Sequence, residues 1–322
     1  MRKITVLILS ALCAVFVLAG CTPKAPDKGD KLSVVTTIFA PYDFVRQIAG
    51  DKADCTMLLK PGTDAHSYEP TPRDIISLQK CDIFIYVGGE NDAWVDDILS
   101  SMDTSSMEII KLMDCVEKRY EEEFVEGMDG WNDHEHDHDH GGGTDTAEWD
   151  EHVWTSPVNA ELICNEITRT LMRIDGANAD LYKNNMQKYG RELEELDADF
   201  RSTAAGASGD TLVFGDRFPL RYFVEEYGLK YYAAFPGCAS ESEASAATVA
   251  FLIDEVKKDG IPIVFKIELS NENMAKTIAE ESGARVETFY TGHNLSKHDF
   301  ESGETYVTLM RRNMVLLKEA LG

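Results

Sequence analysis

Six apolar residues, Tyr182, Met186, Tyr189, Leu193, Leu196 and Phe200, recur at intervals of four, three, four, three and four. That rhythm puts all six on one side of a single continuous α-helix, predicted over Asn178–Ala204. At about 1.5 Å per residue the helix is roughly 40 Å long. Whatever flanks it must present apolar surface along that whole length.

The flanking sequence alternates. Ahead of the helix, strand patterns at Leu32–Thr37, Cys55–Leu59, Ile83–Val87 and Glu108–Leu112 are separated by helical ones at Tyr42–Ile48, Pro72–Lys80 and Asp92–Leu99, with Val158–Ile174 following. Behind it, strands at Thr211–Phe214, Leu229–Ala233, Ile261–Phe265 and Arg285–Phe289 alternate with helices at Phe218–Glu226, Ala244–Lys258, Asn271–Glu281 and Thr305–Leu321. Two sets of about four β-α units joined by one long rigid helix predict an α/β fold of two lobes with mainly parallel sheets. The expected division is an N-terminal lobe over 32–177, the linking helix over 178–204 and a C-terminal lobe over 205–322. Ligands of such sheets bind beyond the carboxyl ends of the strands, so the cleft between the lobes is where chemistry is expected.

The first 31 residues lie outside this pattern. Arg2-Lys3, an apolar run from Ile4 to Gly20 and the ending Leu18-Ala19-Gly20-Cys21 read as an export signal over 1–20. A membrane helix is the competing reading of the run, but a small-small-Cys ending is unusual there. Leu-Ala-Gly-Cys also resembles the bacterial lipobox, which implies a lipid on Cys21 and a flexible leash over 21–31.

The net charge of −26 argues against a nucleic-acid partner, which attracts Lys and Arg clusters. Between Glu117 and Glu151 there are 14 acids against Lys118 and Arg119, so −12 of that charge falls in this segment. Such a block repels itself and is predicted to stay a solvated loop over 117–151. Within it His134, His136, His138 and His140 alternate with acids. Of seven cysteines, Cys13 leaves with the signal and Cys21 is the lipid site. The remaining Cys55, Cys81, Cys115, Cys164 and Cys238 form no CxxC pair and read mostly as small buried hydrophobes; a Cys55–Cys81 bridge stays open.

Four histidines lie outside the acidic run, and three of them sit in predicted cleft loops. His66 follows the second strand in Pro61-Gly-Thr-Asp-Ala-His-Ser-Tyr-Glu-Pro70, where Asp64 or Glu69 could orient it. His152 stands just before a helix, and His293 follows the last strand. A lone loop histidine is usually only solvated. Three at matching positions of two facing lobes favour a metal site.

At this point the chain resembles the zinc and manganese solute-binding lipoproteins of ABC transporters. The resemblance is carried by Pro61–Pro72, by Glu151-His-Val-Trp-Thr-Ser-Pro-Val-Asn-Ala160, by the long helix, by Tyr227-Gly-Leu229 and by Gly303–Asn313. It implies a metal site of about four ligands in the cleft, with His66 and His152 as the first two. It also implies that the His-rich acidic loop gathers metal without being the transport site. The other two positions depart from the family pattern. Counting back from Tyr227 puts the third ligand, a His or Glu in the family, on Arg217; anchoring on Phe214 and Asp216 puts it on Gly215. Glycine has no side chain and a guanidinium cannot ligate a cation. The family's final aspartate falls near His293, so a histidine replaces it. For the missing donor Glu268 is favoured over Asp216 and Glu243, although Glu268 and Asp216 also read as salt-bridge partners of Arg217.

The expected set is therefore His66, His152, Glu268 and His293. Three imidazoles and a carboxylate suit tetrahedral Zn2+, with Zn–N near ~2.0–2.1 Å; Mn2+, which prefers oxygen ligands, is second choice. The implied partners are an ABC permease and its ATPase, with the membrane met through the lipid anchor and the protein acting as a monomer. The alternative is a secreted zinc-dependent hydrolase, which keeps three ligands and a water beside a general base. His-Glu-x-x-His is absent, and ligands scattered across both lobes suit a clamp better. A surface-adhesin role has no sequence feature that tests it, and a pure storage tract does not explain the folded mass.

Overall fold

Two four-stranded sheets form the framework. In the first, β1 (Leu32–Thr36), β2 (Ala53–Met57), β3 (Ile83–Tyr86) and β4 (Glu108–Lys111) stand in the order β2-β1-β3-β4. In the second, β5 (Thr211–Phe218), β6 (Lys230–Pro236), β7 (Ile263–Ile267) and β8 (Arg285–Phe289) stand in the order β6-β5-β7-β8. Every pairing is parallel, giving the expected two-lobed α/β fold. In each sheet the winding direction reverses between the first and third strands, which opens a crevice at their carboxyl ends. This computed structural model describes residues 31–63, 68–129, 149–239 and 243–322. The predicted signal, Cys21, nearly all of the leash, His66 and the His134–His140 run lie outside those residues.

The helices are α1 (Phe39–Ala49), α2 (Pro72–Leu78), α3 (Ala93–Ser100), α4 (Pro157–Ile174), α5 (Ala179–Gly206), α6 (Arg221–Tyr227), α7 (Ala246–Asp259), α8 (Asn273–Ser282), α9 (Lys297–Glu301) and α10 (Tyr306–Leu321). Helix α5, 28 residues long, buries all six residues of its predicted stripe and packs on α1, α4 and α10. One apolar cluster runs from Val34 and Ile83 of the first sheet, through Tyr182, Leu193 and Phe200 of α5, to Phe214 and Phe265 of the second. The lobes therefore share a core, and Leu32–Gly322 is one compact unit. Asp43 adds a polar tie: buried in α1, it accepts the Tyr306 N–H at the start of α10 at 2.9 Å.

Strand β5 runs four residues beyond its predicted end and slips register between Phe214 and Arg217. Gly215 and Asp216 are poor strand formers, so local preference ends the strand early. Packing overrides it. A Cβ on Gly215 would stand 2.6 Å from the Cα of Ala275, so the missing side chain is what lets α8 close on the sheet.

The acidic segment is only partly as expected. Its leading part is not a solvated loop but a strap across to the second lobe. Glu122 Oε1 accepts the Cys238 N–H at 2.8 Å, Glu123 pairs with Arg221, and Asp129 Oδ1 accepts the Ser245 N–H at 3.1 Å. Self-repulsion predicted solvation, but each of these carboxylates finds a cation or an N–H that sequence proximity does not reveal. At the trailing end Asp150 and Glu151 are buried. The five cysteines are all free, so no Cys55–Cys81 bridge forms.

Candidate metal centre

The loop ahead of α4 carries the central group. Val153–Thr155 makes one 3-10 turn, and Ser156 caps α4 by accepting the Asn159 N–H at 3.3 Å. This presents His152 inward, with 0% of its surface exposed. Asp150 Oδ1 accepts the His152 backbone N–H at 2.8 Å and lies 3.2 Å from Nδ1. With the proton on Nδ1 for this contact, the lone pair is on Nε2. That Nε2 is buried and, among the described residues, has no hydrogen-bond partner. Burial disfavours a charged ring, yet Asp150, with Glu151 and Glu122 behind it, holds the His152 pKa above its ordinary value. The surroundings thus favour positive charge at this point.

His293 comes from the opposite lobe. Its ring centroid is 5.8 Å from that of His152, and Trp154 lies against both rings at 5.4 and 5.1 Å. The His293 loop is stitched to the first lobe: Phe39 N–H donates to His293 O at 2.9 Å, and Asn294 Nδ2 donates to Lys60 O and Thr63 O at 2.9 and 2.7 Å. Trp154 Nε1 donates to Thr291 O at 3.0 Å. His66, three residues past Thr63 in the chain, is outside the described residues. A cavity of about 20 Å³ is lined by His293, Glu151, Asp92, Asn91, Leu59 and Tyr68 among others, the last two flanking the His66 segment in sequence. Such a volume holds about one water-sized sphere.

The carboxylates expected as the fourth donor are otherwise engaged. Glu268 Oε2 accepts the Thr291 N–H at 2.8 Å, while Oε1 accepts the Thr291 hydroxyl at 2.6 Å and the His293 N–H at 3.2 Å. Leu269, next to it, has φ 63, a left-handed conformation that a branched residue takes only under constraint. Asp216 Oδ2 accepts from Ile267 N–H at 3.0 Å and from Ser270, and Oδ1 accepts from Arg217 N–H at 2.8 Å. Glu243 is exposed. Arg217 is buried, and its Nη1 donates to Ala239 O at 3.4 Å.

Two residues emerge that sequence reading passed over. Among the described residues, Glu151, His152 and Cys238 form a metal-type group, their ligand atoms all within 4.8 Å of one another. Glu151 is held by Asn91, whose backbone N–H reaches Oε2 at 3.2 Å and whose Nδ2 donates to Oε1. Burial, then Glu151, Glu122 and Asp150, push the Cys238 thiol pKa up. A sequence signal for Cys238 did exist: Pro236-Gly237 ends β6 as Pro61-Gly62 follows β2, so Cys238 leaves the second strand of its lobe much as His66 does. An imidazole, a carboxylate and a thiol grouped this closely are suited to a soft or borderline divalent cation.

The comparisons agree with that chemistry. Residues 34–320 match the model of a family described as zinc-uptake complex component A, periplasmic. The high-affinity zinc uptake system protein ZnuA of Bacillus subtilis (strain 168) is 32% identical over 324 residues, covering 99% of this chain and 98% of that protein. The zinc-binding lipoprotein AdcA of Streptococcus pneumoniae (strain ATCC BAA-255 / R6) is 30% identical over 99% of this chain, which spans 61% of its length. Among solved structures, the metal-dependent lipoprotein YcdH of Bacillus subtilis superposes with a TM-score of 0.74 at 29% identity, covering 91% of this chain and 100% of that one. The Zn(II)-bound ZnuA-like domain of Streptococcus pneumoniae AdcA gives 0.72 at 27% identity, over 90% and 99%.

Proposed function

The chain belongs to the zinc-uptake complex component A family, and we propose on that footing that it captures Zn2+ outside the cytoplasmic membrane and delivers it to an ABC transporter. It is a solute-binding protein and not an enzyme, so the hydrolase alternative falls away. The observation that carries the reading is the buried Nε2 of His152, which has no hydrogen-bond partner among the described residues, on a ring grouped with Glu151 and Cys238. Burying a polar atom without a partner is costly, and a cation removes that cost. His66, His152 and His293 are the imidazole donors in this reading, with Mn2+ a weaker occupant. The partner is a permease driven by its ATPase, and the protein reaches it as a monomer tethered by a lipid on Cys21.

Glu268 then acts on the ion through His293. Its oxygens hold the Thr291–His293 backbone, and a glutamine there turns an amide N–H toward one of those donors. Glu268→Gln is expected to weaken zinc by about 10–100-fold, the range for outer partners of metal ligands, while one equivalent still binds. A complete loss of that equivalent in calorimetry would instead make Glu268 a ligand.

The His134–His140 run supplies the test of the whole reading. Closing alternate histidines around an ion orders backbone at about 1–2 kcal/mol per residue, a cost that a preformed cleft avoids. Zinc titration of the purified protein is expected to show one tight equivalent plus weaker ones. Deleting Asp133–His140 is expected to remove only the weak ones. Loss of the tight equivalent would move the working site to the run; no tight equivalent in the intact protein would end the zinc reading.

A further inference from the structure

We propose that the Cys238 thiolate binds the transported ion directly, beside His152. The inference rests on the zinc reading above and names one of its donors.

Three observations converge on Cys238. Its sulfur lies within 4.8 Å of ligand atoms of His152 and Glu151. Among the described residues the buried Nε2 of His152 has no hydrogen-bond partner. The turn that carries the thiol is also braced from both sides. Glu122 fixes the Cys238 N–H, Arg217 donates to the carbonyl of Ala239, and the turn passes so near the ring that a Cβ on Gly237 would stand 3.2 Å from His152 Cε1. Such bracing is what a metal donor needs and what a filler of core space does not.

The rival carboxylates are less suited. Every oxygen of Glu268 and Asp216 already accepts a hydrogen bond from its own lobe. Arg217 gains a purpose in the same arrangement. It cannot ligate, but it anchors the carbonyl of Ala239, the residue after Cys238. When the ion enters, the thiol proton leaves to solvent and a sulfur–metal bond replaces the S–H bond, with no change of oxidation state. A thiolate donor favours Zn2+ over Mn2+, because soft ligands select against oxygen-preferring ions.

Co2+ is the probe, since a thiolate bound to it gives a sulfur-to-cobalt charge-transfer band in the near ultraviolet. The intact protein with one equivalent of Co2+ is expected to show the band, and zinc is expected to abolish it. Cys238→Ser is expected to lose the band and to bind zinc more than about 100-fold more weakly, beyond the range for outer partners. Cys115→Ser, remote from the group, is expected to keep both. An intact protein that binds one zinc tightly but shows no band with Co2+, or a Cys238→Ser variant of unchanged zinc affinity, overturns the thiolate and leaves the zinc reading standing. Absence of tight zinc binding in the intact protein overturns both. The band is read on the unmutated chain, so a variant that folds poorly does not shelter the proposal.

Discussion

Replacing His152 with alanine is expected to abolish tight Zn2+ binding and to destabilise the apo protein as well. An exposed loop histidine would change stability by under ~0.5 kcal/mol, but this ring is fully buried against Trp154 and holds Asp150. Its removal leaves a cavity and strips a buried carboxylate of a partner, together costing about 1–3 kcal/mol. Loss of affinity should exceed about 100-fold, since outer partners alone are worth 10–100-fold. Two measurements separate the effects. Calorimetry reads the binding, and thermal melting without metal reads the stability. Normal affinity would remove His152 from the site, and an unchanged melting temperature would contradict its burial against Trp154. His152→Gln, closer in volume, should recover part of the stability but not the zinc.

How much of this was legible in the chain depends on how local each cause is. The stripe from Tyr182 to Phe200 was fully legible, because helical periodicity needs no information from elsewhere. The eight strands were legible in kind, because buried parallel strands read as short apolar runs, but not in extent. The last four residues of β5 contain Gly215 and Asp216, and only the approach of Ala275 explains them. The acidic strap was misread for the converse reason. Glu122 and Glu123 look like part of a repelling run until the Cys238 N–H and Arg221 are found opposite them, 116 and 98 residues away in the chain.

The same division runs through the site. His152 and His293 stood out because, with His66, they fall at matching loop positions of the two lobes, and the structure brings their rings 5.8 Å apart. Glu268 was singled out by its distance from a strand end, a criterion blind to direction, and its oxygens turn toward Thr291 and His293. Arg217 was recognised as a departure but not for what it holds. A guanidinium that reaches the Ala239 carbonyl acts across 22 residues, and counting along one strand cannot find that contact.

Zinc is expected to stabilise the folded chain strongly, and the size of the effect follows from where its proposed donors lie. His152 precedes α4, His293 follows β8 and Cys238 follows β6, so no short stretch of unfolded chain presents all three together. Binding is then nearly exclusive to the folded state, and free zinc at 1,000 times the dissociation constant contributes about 4 kcal/mol. For a unit of this size, at about 2–4 °C per kcal/mol, the melting temperature should rise by on the order of 10 °C. One shared core joins both lobes, so the rise should appear as the shift of a single transition. The His134–His140 run carries its donors within consecutive residues and needs no fold to bind. Ions held that way are expected to bind folded and unfolded chain alike and to cancel from the difference. Deleting Asp133–His140 should therefore leave the zinc-induced shift intact, whereas His152→Ala should erase it. Differential scanning calorimetry of the three proteins, with zinc and with chelator, checks this. A shift that vanished with the run and survived in His152→Ala would place the stabilising ion outside the cleft.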